Sequence, residues 1–396
     1  MNLQAKAEKN NYKLLSKPSI LLSGQGLSGI YIHVPFCAST CDFCAFYQQK
    51  PHRPDLETYL EGLKKDFNLR LPKGPVETVF MGGGTPGLLP AKDLQFIGNE
   101  LMKYIETKPK EWSVEMAPST VKMDKLLAMK DIGVNRISMG VQSFNEERLK
   151  SLGRLHSPKQ VYKAYDCIRK AGFDNVNLDM MFALPGQDLL GLEEDLNEAI
   201  QLNPEHISTY CLTFEEDTAL YIKLSQGKVK INEENEHAMY IKTWNLLEEN
   251  GYAQYEISNF ARPGHECLHN INTWKMKTWL GFGPSGASQY RMERYANPSS
   301  QKEWIEGINA NTPKRVEEVA LNENMLAEDS LIFGLRMNSG VDLDEWKVSY
   351  PNVKFQKYAD LFDRLVKNSL CEYSESKIRL TKTGRLVADS IAELIM

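Results

Sequence analysis

From Gly29 to about residue 212, short runs of β-branched and other apolar residues alternate with longer stretches whose apolar positions recur every three or four residues. The first pattern marks strands covered on both faces, and the second marks amphipathic helices. Strands are expected at 29–34, 76–81, 112–117, 135–140, 175–182 and 206–212. Helices are expected at 54–70, 90–106, 121–132, 157–171 and 188–203, with a shorter one at 145–152, and Pro54, Pro90 and Asp188 supply starts. Six strand–helix units in succession imply a parallel sheet joined by right-handed crossovers. Six units fall short of a full eight-stranded barrel, so the expectation is an α/β fold with a partial (β/α)6 barrel. In open and closed forms alike, functional loops gather at the carboxyl ends of the strands.

Beyond residue 213 the alternation weakens. A Glu-rich loop, a helix at 237–250, a strand at 255–260 and a Gly-rich stretch at 281–288 suggest an irregular cap. After Pro313, helical patterns at 324–337 and 355–367, a hairpin from Cys371 to Leu380 and a last helix capped by Thr381 or Thr383 suggest a small helical, winged-helix-like domain. The chain thus divides into an extension at 1–28, a barrel at 29–213, a cap at 214–312 and a C-terminal domain at 313–396.

Composition narrows the classes. The 396 residues carry a formal net charge of −5 with no long basic block, and acids and bases interleave in the C-terminal domain, so nucleic acid is not an expected partner. No apolar run reaches the roughly 18 residues of a membrane span, and the polar N-terminus lacks an apolar signal core. A cytoplasmic protein is expected, with peripheral membrane contact left open. Of seven cysteines, three share one loop, while Cys167, Cys211, Cys267 and Cys371 are scattered singly, which is no disulfide framework.

The loop directly after the first strand holds Cys37, Cys41 and Cys44 in a Cys-x3-Cys-x2-Cys pattern. Thiolates at this density suit a [4Fe-4S] cluster, which normally takes four, so three leave one iron open to an exchangeable ligand. Zinc would need a closed set of four, and no fourth cysteine or close histidine completes it. Other strand ends carry polar groups to match. Gly82-Gly83-Gly84 lets backbone approach a ligand. Glu115, Gln142, Arg154 and Asp179 are each open to an ordinary reading as ion-paired, loop-capping or solvated residues, but together they suit a zwitterion plus a ribose. Asp179 lies in an otherwise apolar strand and needs a partner there.

At these motifs the chain resembles the radical S-adenosylmethionine (SAM) proteins, and within them the group of oxygen-independent coproporphyrinogen III dehydrogenases (HemN) and HemW haem chaperones. The resemblance spans about residues 28–396. It rests on Tyr31-x-His33-x-Pro35-Phe36-Cys37, the Gly-Gly-Gly-Thr-Pro turn, Arg136-Ile-Ser-Met-Gly-Val-Gln-Ser-Phe144, Leu152-Gly-Arg-Leu-His156 and Asp179-x-x-x-Ala-Leu-Pro-Gly-Gln187. It implies that Cys37, Cys41 and Cys44 bind the cluster and that the amino and carboxylate groups of SAM chelate the open iron. Tyr31, Phe43, Gly83, Gly84, Thr85, Glu115, Gln142, Arg154 and Asp179 would contact the cofactor. Reductive cleavage of SAM would follow, with no catalytic side chain assigned. The C-terminal domain would be of the HemN type.

The group's two branches differ at positions present here. The dehydrogenase branch carries a fourth cysteine two residues after the third, where this chain has Phe46, and a longer N-terminal segment than the 30 residues before Tyr31. Both departures favour the HemW branch. Cys267-Leu-His269-Asn-Ile-Asn-Thr-Trp274 is similar to its His-Asn-x-x-Tyr-Trp signature, which makes His269 a haem-ligand candidate, with Cys267 as a further iron contact. Thr273 stands where the signature has Tyr, and a histidine carried by relatives near residue 288 is missing. A loop-capping histidine and a packed Trp274 form the plainer reading. The resemblance therefore implies a haem chaperone with haem as cargo, a haem-acceptor protein, and an electron donor such as a flavodoxin or ferredoxin. The alternative is a coproporphyrinogen dehydrogenase, from which Phe46 leans away. A radical methyltransferase is a third reading.

Overall fold

The computed structural model describes residues 26–229 and 233–396. The extension expected at 1–28 lies outside the described residues as far as residue 25.

All six strands expected up to residue 212 are present: β1 Gly29–Val34, β2 Thr78–Gly83, β3 Glu111–Met116, β4 Arg136–Gln142, β5 Val176–Phe182 and β6 His206–Cys211. They pair in parallel and in sequence order. The connecting helices Arg53–Arg70, Ala91–Leu101, Met123–Ile132, Pro158–Lys170 and Leu189–Gln201 start and stop for local reasons. Asp188 caps the last of these by accepting from Gly191 N at 2.8 Å. Ser157 and Gln160 form a capping box at Pro158, and Gly133 ends its helix in the left-handed region at φ 103°.

Each strand serves two surroundings. Ile30, Val79, Trp112, Val114, Ile137, Met139, Val176, Leu178 and Ile207 are fully buried in one core with helix residues such as Leu63, Leu94, Leu126 and Ile168. Their neighbours in sequence point to the other face, which curves into the barrel lumen and is polar: Glu111, Ser113 and Glu115; Arg136 and Ser138; Asn177 and Asp179; His206, Ser208 and Tyr210. Of these, Glu115 and Asp179 were marked in the sequence as polar groups of the strand ends. The period-two alternation in Glu111-Trp-Ser-Val-Glu-Met116 and Arg136-Ile-Ser-Met139 carried the same signal.

The region expected as an irregular cap contains regular strands that extend both edges of the sheet. β9 Trp279–Phe282 lies parallel beside β1, and β10 Ala287–Tyr290, β11 Glu293–Ala296 and β12 Val316–Ala320 continue antiparallel. On the far edge β8 Asn259–Ala261 pairs with β6 and β7 Ala253–Glu256 with β8, so the single strand expected at 255–260 is two short ones. Among the described residues this gives a twelve-stranded sheet. Glycines at 281–288 disguised β9 and β10. They are there because a Cβ on Gly281 would sit 2.3 Å from the Ala287 carbonyl oxygen, a close approach that looks loop-like in sequence.

The C-terminal unit has helices Glu323–Arg336, Leu343–Ser349 and Gln356–Lys367 and a three-stranded sheet in the order β13–β15–β14, with β13 Val341–Asp342, β14 Cys371–Ser374 and β15 Lys377–Leu380. The expected hairpin is β14–β15, and Thr381 caps the helix Lys382–Leu386 by accepting from Gly384 N at 3.0 Å. Leu331, Trp346, Phe362 and Ile378 centre a separate core, and Arg336 bonds Glu256 at 2.9 Å across to the barrel.

Candidate cluster and cofactor site

The cysteine loop leaves β1 at its carboxyl end and is pinned on three sides. It closes on itself through Cys37 N to Gln49 O at 3.0 Å and Gln49 N to Pro35 O at 2.7 Å. Asp42 N donates to Leu152 O at 3.0 Å, Asp42 O accepts from Leu220 N at 2.8 Å, and the Asp42 carboxylate pairs with Lys223. The three thiols are free and half-buried. Cys41 Sγ accepts from Arg154 Nη1 at 3.4 Å, and Cys37 Sγ lies 3.5 Å from Thr85 Oγ1. Burial pushes the thiols of Cys37 and Cys44 above the usual range.

These donors fit a cluster better than a single ion. Among the described residues no three His, Cys, Asp or Glu side chains converge closely enough to hold one metal ion. Three thiols spread around one rim instead suit separate irons. Arg154 adds a second sign, since its Nε is buried without a hydrogen-bond partner while Nη2 donates to Gly140 O at 2.7 Å. A half-buried guanidinium with a buried, orphaned Nε suits an anionic ligand beside the thiols.

The glycine turn supplies the approach. A Cβ on Gly84 would fall 2.6 Å from Val34 O and 2.8 Å from Phe36 O, and Gly83, at φ 97°, rests on the His33 ring. His33 is fixed in turn by Tyr47 O at 3.1 Å. Gln142 holds a left-handed φ of 69° where the β4–β5 register slips, next to Arg154 across Gly140. Such a backbone outlier in a non-glycine residue belongs with sites where surrounding structure enforces it.

Two carboxyls face the lumen. Glu115 accepts from Gly83 N at 3.2 Å, and burial with the charge of Asp179 pushes its pKa up to about 8. Asp179 accepts from Ser138 Oγ at 3.1 Å and Asn177 Nδ2 at 2.8 Å, yet burial still raises its pKa. A cation between them would relieve both.

Two connected cavities, of about 180 and 780 Å³, run from the cysteine loop into the lumen. Eight of the nine expected cofactor contacts line one or both: Phe43, Gly83, Gly84, Thr85, Glu115, Gln142, Arg154 and Asp179. Tyr31 does not. Its hydroxyl lies 3.3 Å from His33 Nδ1 and its ring stacks on Phe80. Phe46 stands at the rim, 65% exposed. Tyr210, Tyr240, Ile257, Arg336 and Arg385 also line the larger cavity and were missed in sequence. Tyr210 follows the alternation of His206 and Ser208, but the two arginines arrive from the C-terminal unit and no local signal marks them.

His269 is not brought to this site. It lies at the opposite, amino-terminal end of the strands, where its Nδ1 is 2.9 Å from Thr78 Oγ1 and its ring packs on Phe80. Glu111 accepts from Leu268 N at 2.7 Å, His269 N at 3.1 Å and Cys267 Sγ at 3.5 Å, which caps the helix Leu268–Trp274. Trp274 packs on Phe333 with Arg336 over its face. The stretch expected around a haem iron thus forms the floor of the barrel, and burial holds the His269 pKa down to about 4.

A parallel half-barrel with a three-cysteine loop at its carboxyl mouth is the architecture of a radical SAM protein. Residues 31–199 match the radical SAM superfamily model, and 321–387 match the HemN C-terminal domain. Among solved structures the chain is similar to coproporphyrinogen III oxidase HemN from Escherichia coli, at a TM-score of 0.81 and 23% identity, over 93% of this chain and 90% of that one; the likeness establishes the fold. It is 32% identical to heme chaperone HemW of Bacillus subtilis over 92% of this chain and 98% of that protein. With heme chaperone HemW of Lactococcus lactis it shares 31% identity over 92% of this chain and 96% of the relative. This chain belongs to the HemN/HemW family of radical SAM proteins, and membership implies a [4Fe-4S] cluster and SAM as cofactors.

Proposed function

We propose that this protein is a haem chaperone of the HemW kind, which carries haem as cargo and passes it to an acceptor protein in the cytoplasm. The observation that carries the reading is near full-length kinship with heme chaperones HemW; Phe46 at the position of a fourth cysteine supports it. Cys37, Cys41 and Cys44 hold the cluster. Bound there, cluster and cofactor supply one-electron reductive cleavage of the SAM sulfonium.

The chain's own groups position and shield. Arg154, fixed by Gly140 O, presents its guanidinium beside Cys41 to the cofactor's carboxylate. Glu115 and Asp179 take the positive ends of the ligand, and Gly83 and Gly84 let the turn pack against the His33 ring and the loop carbonyls of Val34 and Phe36, which holds the cysteine loop beside the ligand. An electron donor, a flavodoxin or ferredoxin, would reach the cluster at the open rim, where Phe46 and Leu155 are exposed. The position of His269 in the floor argues against axial ligation of a haem seated at the mouth. Among the described residues no helix is long and apolar enough to cross a membrane.

The deciding experiment is anaerobic reconstitution followed by two parallel assays. Haem titration should show stoichiometric binding. Incubation with SAM, reductant and coproporphyrinogen should yield no protoporphyrinogen, and its appearance would turn the reading to a dehydrogenase.

A further inference from the structure

The larger cavity does not end with the cofactor contacts. It continues past Tyr210, Tyr240 and Ile257 to a wall built by the C-terminal unit, where Arg336 and Arg385 line it. The two arginines differ. Arg336 Nε donates to the fully buried Glu256 at 2.9 Å, and its Nη2 lies 3.3 Å from Ser258 Oγ. Arg385 lies over the Trp244 ring and donates through Nη1 to the neutral Gln254 side chain; its Nε is buried without a partner. The acids that act on it are engaged elsewhere, Glu248 with Lys382 at 3.2 Å and Glu372 with Arg379 at 2.8 Å. Asp389, on the same wall, is exposed and makes no ion pair among the described residues.

A half-buried guanidinium that lies over an indole, with its Nε buried and no ion pair among the described residues, carries a desolvation cost that a carboxylate would offset. Next to it the lining carries Tyr210, Tyr240, Ile257 and Leu386, an apolar and aromatic stretch between the polar cofactor contacts and the arginine, which suits a flat apolar body with acid groups on one edge. We propose that Arg385 anchors a propionate carboxylate of a tetrapyrrole lying in the C-terminal end of this cavity, its ring against Tyr210, Tyr240 and Leu386. The assignment rests on the haem-carrier reading and adds the end of the cavity and the orientation.

The test titrates haem and haem dimethyl ester, whose propionates are uncharged, into the full-length reconstituted protein and into Arg385→Gln and Arg385→Lys. Wild type should prefer free haem by about tenfold or more, the order expected for one charge-assisted hydrogen bond. Arg385→Gln should lose that preference while keeping its affinity for the diester, and Arg385→Lys should recover part of it. Wild type that binds both forms equally, or Arg385→Gln that keeps the preference, overturns the anchor and leaves the carrier reading standing. Wild type that binds neither overturns both. If Arg385→Gln does not fold, wild type without the preference still overturns the anchor, and Arg385→Lys decides the rest: a reduced preference supports it and an unchanged one overturns it.

Discussion

The two ends of the barrel are built from similar residue types and do opposite work. At the amino end, Glu111 has three donors, His206 is flanked by Asn177 Oδ1 at 2.6 Å and the Tyr255 hydroxyl at 2.8 Å, and the helix Leu268–Trp274 seals the floor. At the carboxyl end, Glu115 has one backbone donor, Arg154 Nε has no hydrogen-bond partner among the described residues, and Gly83 and Gly84 pack against His33 and the loop carbonyls beside two cavities. Orphaned donors occur at both ends, since Arg136 Nε and Trp274 Nε1 in the floor also lack partners among the described residues; what marks the carboxyl end as a site is that its orphaned guanidinium and its two carboxyls line open cavities.

The largest expected break is at the mouth. Cys37→Ala, Cys41→Ala or Cys44→Ala should abolish cluster uptake, read as iron and sulfide content and visible absorbance after reconstitution. Because the thiols are half-exposed, apo-protein unfolding should move little. The converse change at the floor, Glu111→Ala, leaves the amides of Leu268 and His269 without their acceptor and should cost about 3 kcal/mol, seen as a lower urea midpoint. Cluster content of the folded fraction should survive. If the cluster disappears while stability holds, the division between the two ends is wrong.

Gly84→Ala should weaken SAM binding about tenfold or more, because the added carbon must displace the loop carbonyls of Val34 and Phe36. Isothermal titration of the reconstituted protein reads this directly. Glu115 offers a pH test. Its folded pKa of about 8 exceeds the unfolded value of 4.5, so the folded apo protein binds the extra proton and stability falls as pH rises from about 4.5 to 8. Glu115→Gln should flatten that slope in melting curves, and a slope unchanged by the substitution would sink the assignment. The smallest effect is expected for His269→Ala: a lowered melting temperature from the lost Thr78 contact, with haem affinity kept.

Much of this was legible in one dimension. Each strand run carries β-branched or apolar residues on its core face between helix-period stretches, so all six were visible, and the caps at Asp188 and Ser157 act through neighbours in sequence. Cys37, Cys41 and Cys44 declare their chemistry by spacing alone. The added edge strands were hidden because glycines at 281 and 286 permit close strand packing and also resemble a loop. The place of His269 was not legible because a histidine followed by asparagine and tryptophan says nothing about which end of a barrel it will occupy.

By itself the sequence determined the parallel half-barrel, the ligand-poor thiol loop and Phe46 in place of a fourth cysteine, since periodicity and spacing are local properties. Only tertiary structure decided that His269 lies in the floor, that eight of the expected contacts line connected cavities, and that Arg385 stands at the far end with no ion pair among the described residues. Those outcomes depend on which residues distant in sequence come to share one buried volume, and on whose partners are used up when they do.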